Sequence, residues 1–228
     1  MIEKKLNLFI ACDTKKISSA RKVIKYTETK KLNIGYKFGL QFLNTKNGRF
    51  FISRIKKKII FLDLKLNDIP NTCASAINAV KDLKVNYLTI HISSGLEALK
   101  AAKKVSGSIK LVGVSILTSL DDRLVKQIGF SKRVSELVKD QAKVASKAKL
   151  DAIVCSPLEV RLVKKYFKNE IITPGIRFSS ELNDQKRTMD PIKAFKNGSD
   201  WLVIGRSLTK GNIKKNLKKL IAHLNNDT

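Results

Sequence analysis

The chain has 228 residues, 43% of them hydrophobic, with only four prolines and no apolar stretch approaching a bilayer span, which excludes a disordered or membrane-spanning protein. Its net charge of +27 first suggests nucleic acid or an anionic surface, but 37 of the 46 basic residues are lysines spread along the helical segments. With no basic arm and no interleaved aromatics, solvated charge is the simpler reading, and neither a specific nucleic acid nor a membrane partner is expected.

Residues Met1-Ile2-Glu3-Lys4-Lys5 run directly into the first apolar segment without a signal-peptide core. Apolar, β-branched runs at residues 6–12, 33–39, 59–65, 85–91, 110–116, 151–155, 170–174 and 201–205 predict eight strands. Helical patterns separate them. Ser94-Gly95-Leu96-Glu97 predicts a capping box after the fourth strand. Apolar residues at 134, 137, 138, 142, 145 and 148 predict an amphipathic helix. Ser156-Pro157-Leu158-Glu159 predicts a second capping box with proline in the first helical position. Asp190-Pro191 opens a further helix that Gly198 closes. Strands alternating with helices in a chain of this length predict a (β/α)8 barrel occupying residues 1–228 as one domain. A doubly wound sheet suits less well, because no glycine-rich loop follows the first strand. Cys12, Cys73 and Cys155 lack a CxxC or histidine-bearing spacing and read as packed, reduced thiols of a cytoplasmic protein.

Barrel chemistry belongs at the C-terminal ends of the strands. Asp13, Lys37, Asp63, Lys65, His91 and Arg206 all fall there. The densest cluster is Asp63-Leu64-Lys65-Leu66-Asn67-Asp68, an Asp-x-Lys-x-x-Asp pattern ending an otherwise apolar strand. Alternation along a strand turns Asp63 and Lys65 to the same side, and Asp68 lies just beyond, before Pro70. A cation between carboxylates at such a place is costly to desolvate, which favours an active site over a structural ion pair. Gly205-Arg206 after the eighth strand suits phosphate, through close backbone approach and a bidentate guanidinium. Local sequence also allows Asp13 to cap a helix, Ser115 to satisfy nearby backbone and His91 to serve structure alone. No His, Cys or carboxylate cluster has metal-ligand spacing, and no cofactor is expected.

The stretch Ile60-Phe61-Leu62-Asp63-Leu64-Lys65-Leu66-Asn67-Asp68-Ile69-Pro70-Asn71-Thr72 resembles the signature of the orotidine 5′-phosphate decarboxylase family. Five further segments match that family in the same order. These are Ile10-Ala11-Cys12-Asp13, Tyr36-Lys37-Phe38-Gly39-Leu40, Leu117-Thr118-Ser119-Leu120, Thr173-Pro174-Gly175-Ile176-Arg177 continuing to Asp184-Gln185-Lys186-Arg187, and Asp200-Trp201-Leu202-Val203-Ile204-Gly205-Arg206. The resemblance implies decarboxylation of orotidine 5′-monophosphate to UMP without metal or organic cofactor. It implies that Lys65 donates the proton and that Asp63 sits beside the departing carboxylate. Asp68 and Thr72 would reach the neighbouring site of a homodimer, and Lys37 would complete a Lys-Asp-Lys-Asp array. Asp13 and Lys37 would hold the ribose, and Ser115 and Thr118 the pyrimidine. Arg177, Gln185, Gly205 and Arg206 would take the phosphate end. Asn67, Ser93-Ser94-Gly95 and Ser207-Leu208-Thr209 depart from the family pattern without removing a charged group.

Two other readings compete. A magnesium-dependent sugar-phosphate barrel shares Asp-x-Lys-x-x-Asp but demands a further carboxylate facing the site, and the fourth strand ends at His91 without one. A nucleic-acid-binding protein rests on net charge alone.

Overall fold

A strand buried on both faces needs a near-continuous apolar sequence, and each of the eight apolar runs forms one. The computed structural model describes residues 5–178 and 188–225. Its strands are β1 (Asn7–Ala11), β2 (Asn33–Gly39), β3 (Ile59–Leu66), β4 (Tyr87–His91), β5 (Lys110–Val114), β6 (Ala152–Val154), β7 (Glu170–Thr173) and β8 (Trp201–Ile204). Each pairs in parallel with its neighbours in sequence order, and β1 closes on β8 from Asn7↔Trp201 to Ile10↔Ile204. This is the expected (β/α)8 barrel.

The connecting helices are α1 (Ile17–Tyr26), α2 (Leu40–Leu43), α3 (Gly48–Arg54), α4 (Pro70–Ala79), α5 (Leu96–Val105), α6 (Asp122–Gln127), α7 (Val134–Lys147), α8 (Val160–Tyr166), α9 (Pro191–Asn197), α10 (Arg206–Thr209) and α11 (Ile213–Asn225). Helix α7 follows the predicted apolar period, burying Val134, Val138, Ala142 and Ala145. On α11, Leu217, Leu220 and Leu224 face inward while Lys214, Lys215, Lys218 and Lys219 are exposed. The excess lysine there covers solvated faces. No helix among the described residues is long and apolar enough to cross a membrane.

Alternation along the strands divides the core in two. Leu8 and Ile10 of β1 point outward into the layer packed under the helices, whereas Phe9 points into the barrel. Phe9 stacks on Trp201 with ring centroids 4.2 Å apart and meets Phe61 at 4.9 Å and Tyr87 at 5.1 Å. Gly35 makes this possible: a Cβ on that β2 residue would lie 2.6 Å from the Phe9 ring. Below the aromatics, at the start of β4, β5 and β7, Tyr87 donates to Glu170 at 2.9 Å and Lys110 donates to the same carboxylate at 2.5 Å. Rings and ion pair together fill the N-terminal half of the barrel.

One helix start forms as its local sequence predicts and two do not. Asp190 caps α9 as expected, its carboxylate accepting from the Ile192 and Lys193 amides, and Gly198 closes that helix at φ +105°. Neither predicted capping box forms. Gly95 holds the cap position of α5, and the Ser94 hydroxyl donates to Asn67 at 2.9 Å instead. Residues 157–159 form a turn in which the Ser156 hydroxyl accepts from the Leu158 amide, so α8 begins only at Val160. In both cases a serine hydroxyl found a different nearby partner, the competition that makes serine a turn former as well as a cap.

Candidate active site

A cavity of about 400 Å³ opens at the C-terminal ends of the strands. Its floor includes Ala11, Phe61 and Val203, which also belong to the barrel interior. Asp13 follows β1, Lys37 lies in β2, and Asp63 and Lys65 end β3. The β5 end contributes Thr118 and Ser119, the β7 end Gly175 and Arg177, and the β8 end Gly205, Arg206 and Ser207.

Four charges alternate across the site. Lys37 Nζ lies 3.2 Å from Asp13 Oδ1 and 3.2 Å from Asp63 Oδ2, and Lys65 Nζ lies 2.8 Å from Asp63 Oδ1. Asp63 and Lys37 are each only 12% exposed, whereas Lys65 is 38% and Asp13 63% exposed. Burial alone would raise the Asp63 carboxyl, but the Lys37 and Lys65 ammonium groups outweigh it and hold it below its ordinary range. Burial likewise opposes charge on Lys37, yet Asp63 and Asp13 keep its ammonium above the ordinary lysine value. Asp63 is thus ionised at neutral pH and is shared between two cations. His91, half-buried at the end of β4, is held below its ordinary value by burial and then by Lys65, with Asp63 opposing. It does not line the cavity.

Lys65 and Asp63 meet, but not through plain alternation. The β3–β4 register shifts between Leu62 and Leu66, and Lys65 has a left-handed backbone, φ +51°. A bulge therefore turns the lysine towards the carboxylate. The Thr89 hydroxyl of β4 lies against this bulge, 2.7 Å from the Lys65 amide nitrogen and 3.1 Å from Asp63 Oδ1.

The remaining expected residues divide into three groups. Thr118, Arg177, Gly205 and Arg206 line the cavity with the charged array. Asp68 and Thr72 do not: Asp68 is exposed on the connection from β3 into α4, where it accepts from the Ile69 amide, and Thr72 is exposed in the first turn of α4. Lys65 accordingly has Asp63 alone as a carboxylate partner among the described residues. Asp13 extends the array at its other end, beyond Lys37, and with α1 beginning at Ile17 it is not a helix cap. Ser115 is buried and its hydroxyl donates to the Val154 carbonyl at 2.8 Å, the backbone role its position also allowed. Gln185, with Asp184, Lys186 and Arg187, lies outside the described residues. Just before it, Ile176 bridges to Met189, so the two flanks of that segment are tied together.

Three polar side chains escaped the sequence reading. Ser119 and Ser207 line the cavity beside Thr118 and Arg206, and adjacency to those residues was the available signal. Thr89 left no such signal, because a threonine inside a strand reads as β propensity. Cys155 lines the cavity as a buried thiol outside any disulfide, and Cys12, just behind Asp13, is pushed up to about 12 by burial and by that aspartate. Among the described residues no group of three or more His, Cys, Asp or Glu converges as metal ligands. The arrangement places an ammonium, fixed by a buried carboxylate, in one cavity with the apolar residues Val114, Ile116 and Val154. Two arginines in the same cavity suit an anionic ligand.

A family model described as "Orotidine 5'-phosphate decarboxylase / HUMPS family" matches residues 6–219. An orotidine 5'-phosphate decarboxylase of Wolbachia sp. subsp. Brugia malayi (strain TRS) is 39% identical over 223 residues, covering 94% of this chain and 96% of that one. One from Coxiella burnetii (strain RSA 493 / Nine Mile phase I) is 42% identical over 179 residues, 74% of this chain and 76% of that one. The crystal structure of orotidine 5'-phosphate decarboxylase from Lactobacillus acidophilus superposes with a TM-score of 0.82 at 26% identity, covering 97% of this chain and 100% of that one.

Proposed function

The chain belongs to the orotidine 5'-phosphate decarboxylase / HUMPS family, and from that membership we propose that it decarboxylates orotidine 5′-monophosphate to UMP and carbon dioxide, completing de novo UMP synthesis. The observation that carries this reading is the Asp13–Lys37–Asp63–Lys65 array at the mouth of the barrel.

The chemical difficulty is that C6 of the pyrimidine has no neighbouring carbonyl or cofactor to take up charge. When the C6–carboxylate bond breaks, carbon dioxide leaves and the electron pair stays at C6. An ammonium held beside that atom stabilises the developing charge and then delivers its proton, giving UMP and a neutral amine that regains a proton from water. Lys65 is the proposed donor. Asp63 orients it and lies against the departing carboxylate, where like charge in the ground state is relieved as carbon dioxide leaves. Lys37 balances Asp63, so the donor is held without an unpaired buried charge.

Asp13 and Lys37 are proposed to hold the ribose, and Thr118 the base edge. Arg206, Gly205 and Arg177 are proposed to bind the phosphate, with Gln185 closing over it, so that phosphate binding drives the chemical step. Ser115 is proposed to support this wall through the β5–β6 contact. Asp68 and Thr72 are proposed to act in the site of a second copy. Their exposure on the β3–α4 connection and the first turn of α4 supports this, as does the neighbouring Ile69, which is 66% exposed. The catalytic unit is proposed to be the one barrel domain, and its setting the cytoplasm, in keeping with three buried thiols outside any disulfide.

The test is loss of the orotate ultraviolet chromophore when the purified protein meets orotidine 5′-monophosphate in the presence of EDTA. Turnover is expected, and Lys65→Ala is expected to abolish it while UMP still binds. Turnover that vanishes on chelation and returns with magnesium would instead favour a sugar-phosphate reaction. Near-normal turnover by Lys65→Ala would remove the lysine from its proposed role.

A further inference from the structure

We infer that Thr89 is a positioning residue for this reaction, its hydroxyl locking the backbone of Lys65 and the carboxylate of Asp63 into a single geometry. The inference rests on the proposed decarboxylation and adds to it a residue on a different strand.

The need for such a lock comes from the bulge. Between the pairs Leu62↔Leu88 and Leu66↔Ile90, β3 advances four residues while β4 advances two. The extra length brings Lys65 round at φ +51°, a backbone that side chains other than glycine seldom adopt and that persists only where surrounding contacts impose it. It also leaves the Lys65 amide without a ladder carbonyl opposite. Thr89 is the one β4 residue between the two paired positions, and it is 1% exposed. Its hydroxyl takes the orphaned amide at 2.7 Å.

A threonine hydroxyl has one proton and can accept as well. Asp63, ionised between two lysines, can only accept, so the hydroxyl must donate to Asp63 Oδ1, at 3.1 Å, and accept from the amide. Lys65 Nζ donates to that same Oδ1 at 2.8 Å. A closed ring results: Lys65 amide to Thr89 hydroxyl, hydroxyl to Asp63, and Asp63 back to the Lys65 ammonium. The ammonium also donates to Asp63 Oδ2 at 2.8 Å, so main chain and side chain of the proposed proton donor are both tied to this one carboxylate. A flexible lysine tethered at its tip alone sweeps a range of positions, whereas one tied at both ends presents its ammonium along one direction. Positional error of about 1 Å at a reacting group costs on the order of 10²-fold in rate.

The experiment compares Thr89→Val, which keeps the shape and removes both hydrogen bonds, with Thr89→Ser, which keeps the hydroxyl and removes the methyl. Thr89→Val is expected to lower kcat roughly 10- to 100-fold while KM and UMP affinity stay within about threefold, and Thr89→Ser to stay within about threefold of the parent in kcat. Thr89→Val with parental kcat overturns the inference. So does Thr89→Ser falling as far as Thr89→Val, which would assign the role to methyl packing. A loss of UMP affinity in proportion to kcat overturns it too, since that marks a collapsed pocket. Independently of any substrate, exchange of the Lys65 amide followed by NMR should quicken at least about tenfold in Thr89→Val and not in Thr89→Ser, because that amide would lose its acceptor. Equal protection in both variants overturns the inference by itself. A parent inactive on orotidine 5′-monophosphate refutes the decarboxylase reading and leaves this amide comparison to decide the geometry. Should Thr89→Val fail to fold, Thr89→Cys takes its place, with the weaker thiol giving kcat and protection between Ser and Val expectations; Cys equal to the parent in both overturns the inference.

Discussion

Asp63→Asn removes one charge from a carboxylate that serves two ammonium groups, and nearly preserves its shape. Two unit charges about 3 Å apart attract by roughly 5 kcal/mol at an effective dielectric of about 20. Two such pairs, to Lys37 at 3.2 Å and Lys65 at 2.8 Å, make the gross term large, and desolvation of three partly buried charges offsets most of it. Removing one partner of a buried pair costs about 3–5 kcal/mol net. The lower end applies here, because Lys65 is 38% exposed, Lys37 keeps Asp13, and the amide oxygen still accepts one bond. A loss of about 3 kcal/mol at pH 7 corresponds to a Tm lower by roughly 6 to 12 °C for a chain of this length. The loss depends on pH in a definite direction. The native Asp63 carboxyl titrates below its ordinary 3.8, so its stabilisation is complete above that value and disappears as pH falls through the lower native one. Lys37 titrates above its ordinary 10.5, so its share is complete below that and disappears as pH rises through the higher native value. The gap between parent and variant should therefore be widest between about pH 5 and 10 and close on acidification below about pH 4. Thermal unfolding followed by circular dichroism, at one protein concentration from pH 3 to 8, reads this directly. A variant as stable as the parent at pH 7, or a gap of the same size at pH 3, would refute the electrostatic account of the site.

Arg206→Ala should lower kcat/KM for orotidine 5′-monophosphate by roughly thirtyfold or more, on the scale of about 2–5 kcal/mol for truncating one partner of a buried charged contact, while leaving turnover of unphosphorylated orotidine nearly unchanged. An equal loss on both substrates would move Arg206 away from the phosphate. Ser115→Ala should cost about 1 kcal/mol of stability in urea unfolding and change kcat less than about threefold, because its hydroxyl is engaged by the Val154 carbonyl; a large kcat effect would restore it to the substrate site. Mixing inactive Lys65→Ala and Asp68→Ala should recover roughly a quarter of parental activity, since half the dimers are hybrids and half their sites intact in an isologous pair. No recovery after demonstrated subunit exchange would confine Asp68 to its own chain.

The strands were legible because the physics that specifies them is local: a run such as Ile60 to Leu62 has no soluble alternative to burial. Placement of Asp13, Lys37, Asp63, Lys65 and Arg206 at the strand ends followed from the same runs. What local pattern could not reach was the path between those ends. Alternation brought Asp63 and Lys65 together for the wrong reason, since the contact depends on a bulge whose only trace is a register between two strands. Ser94 and Ser156 show the same limit, each with several hydrogen-bond partners within reach and a choice made by tertiary neighbours. Ser115 and Thr89 are the sharpest pair. Both hydroxyls, Thr89 within β4 and Ser115 just past the end of β5, are buried to within 2% of full cover, yet one answers a backbone carbonyl and the other the central carboxylate of the site. Asp68 and Thr72 are exposed at the surface of one chain, and their proposed role in a second copy's site leaves no contact within a single chain to read.

The filled lower half of the barrel has a consequence for traffic. With Phe9, Phe61, Tyr87 and Trp201 in mutual contact and Glu170 bonded to Tyr87 and Lys110 beneath them, the cavity is a cul-de-sac. Carbon dioxide formed in the proposed reaction would meet that packed floor on one side and depart past the nucleotide by the opening through which the nucleotide came. Entry, gas escape and product exit then share one doorway, and whatever narrows that doorway governs all three at once.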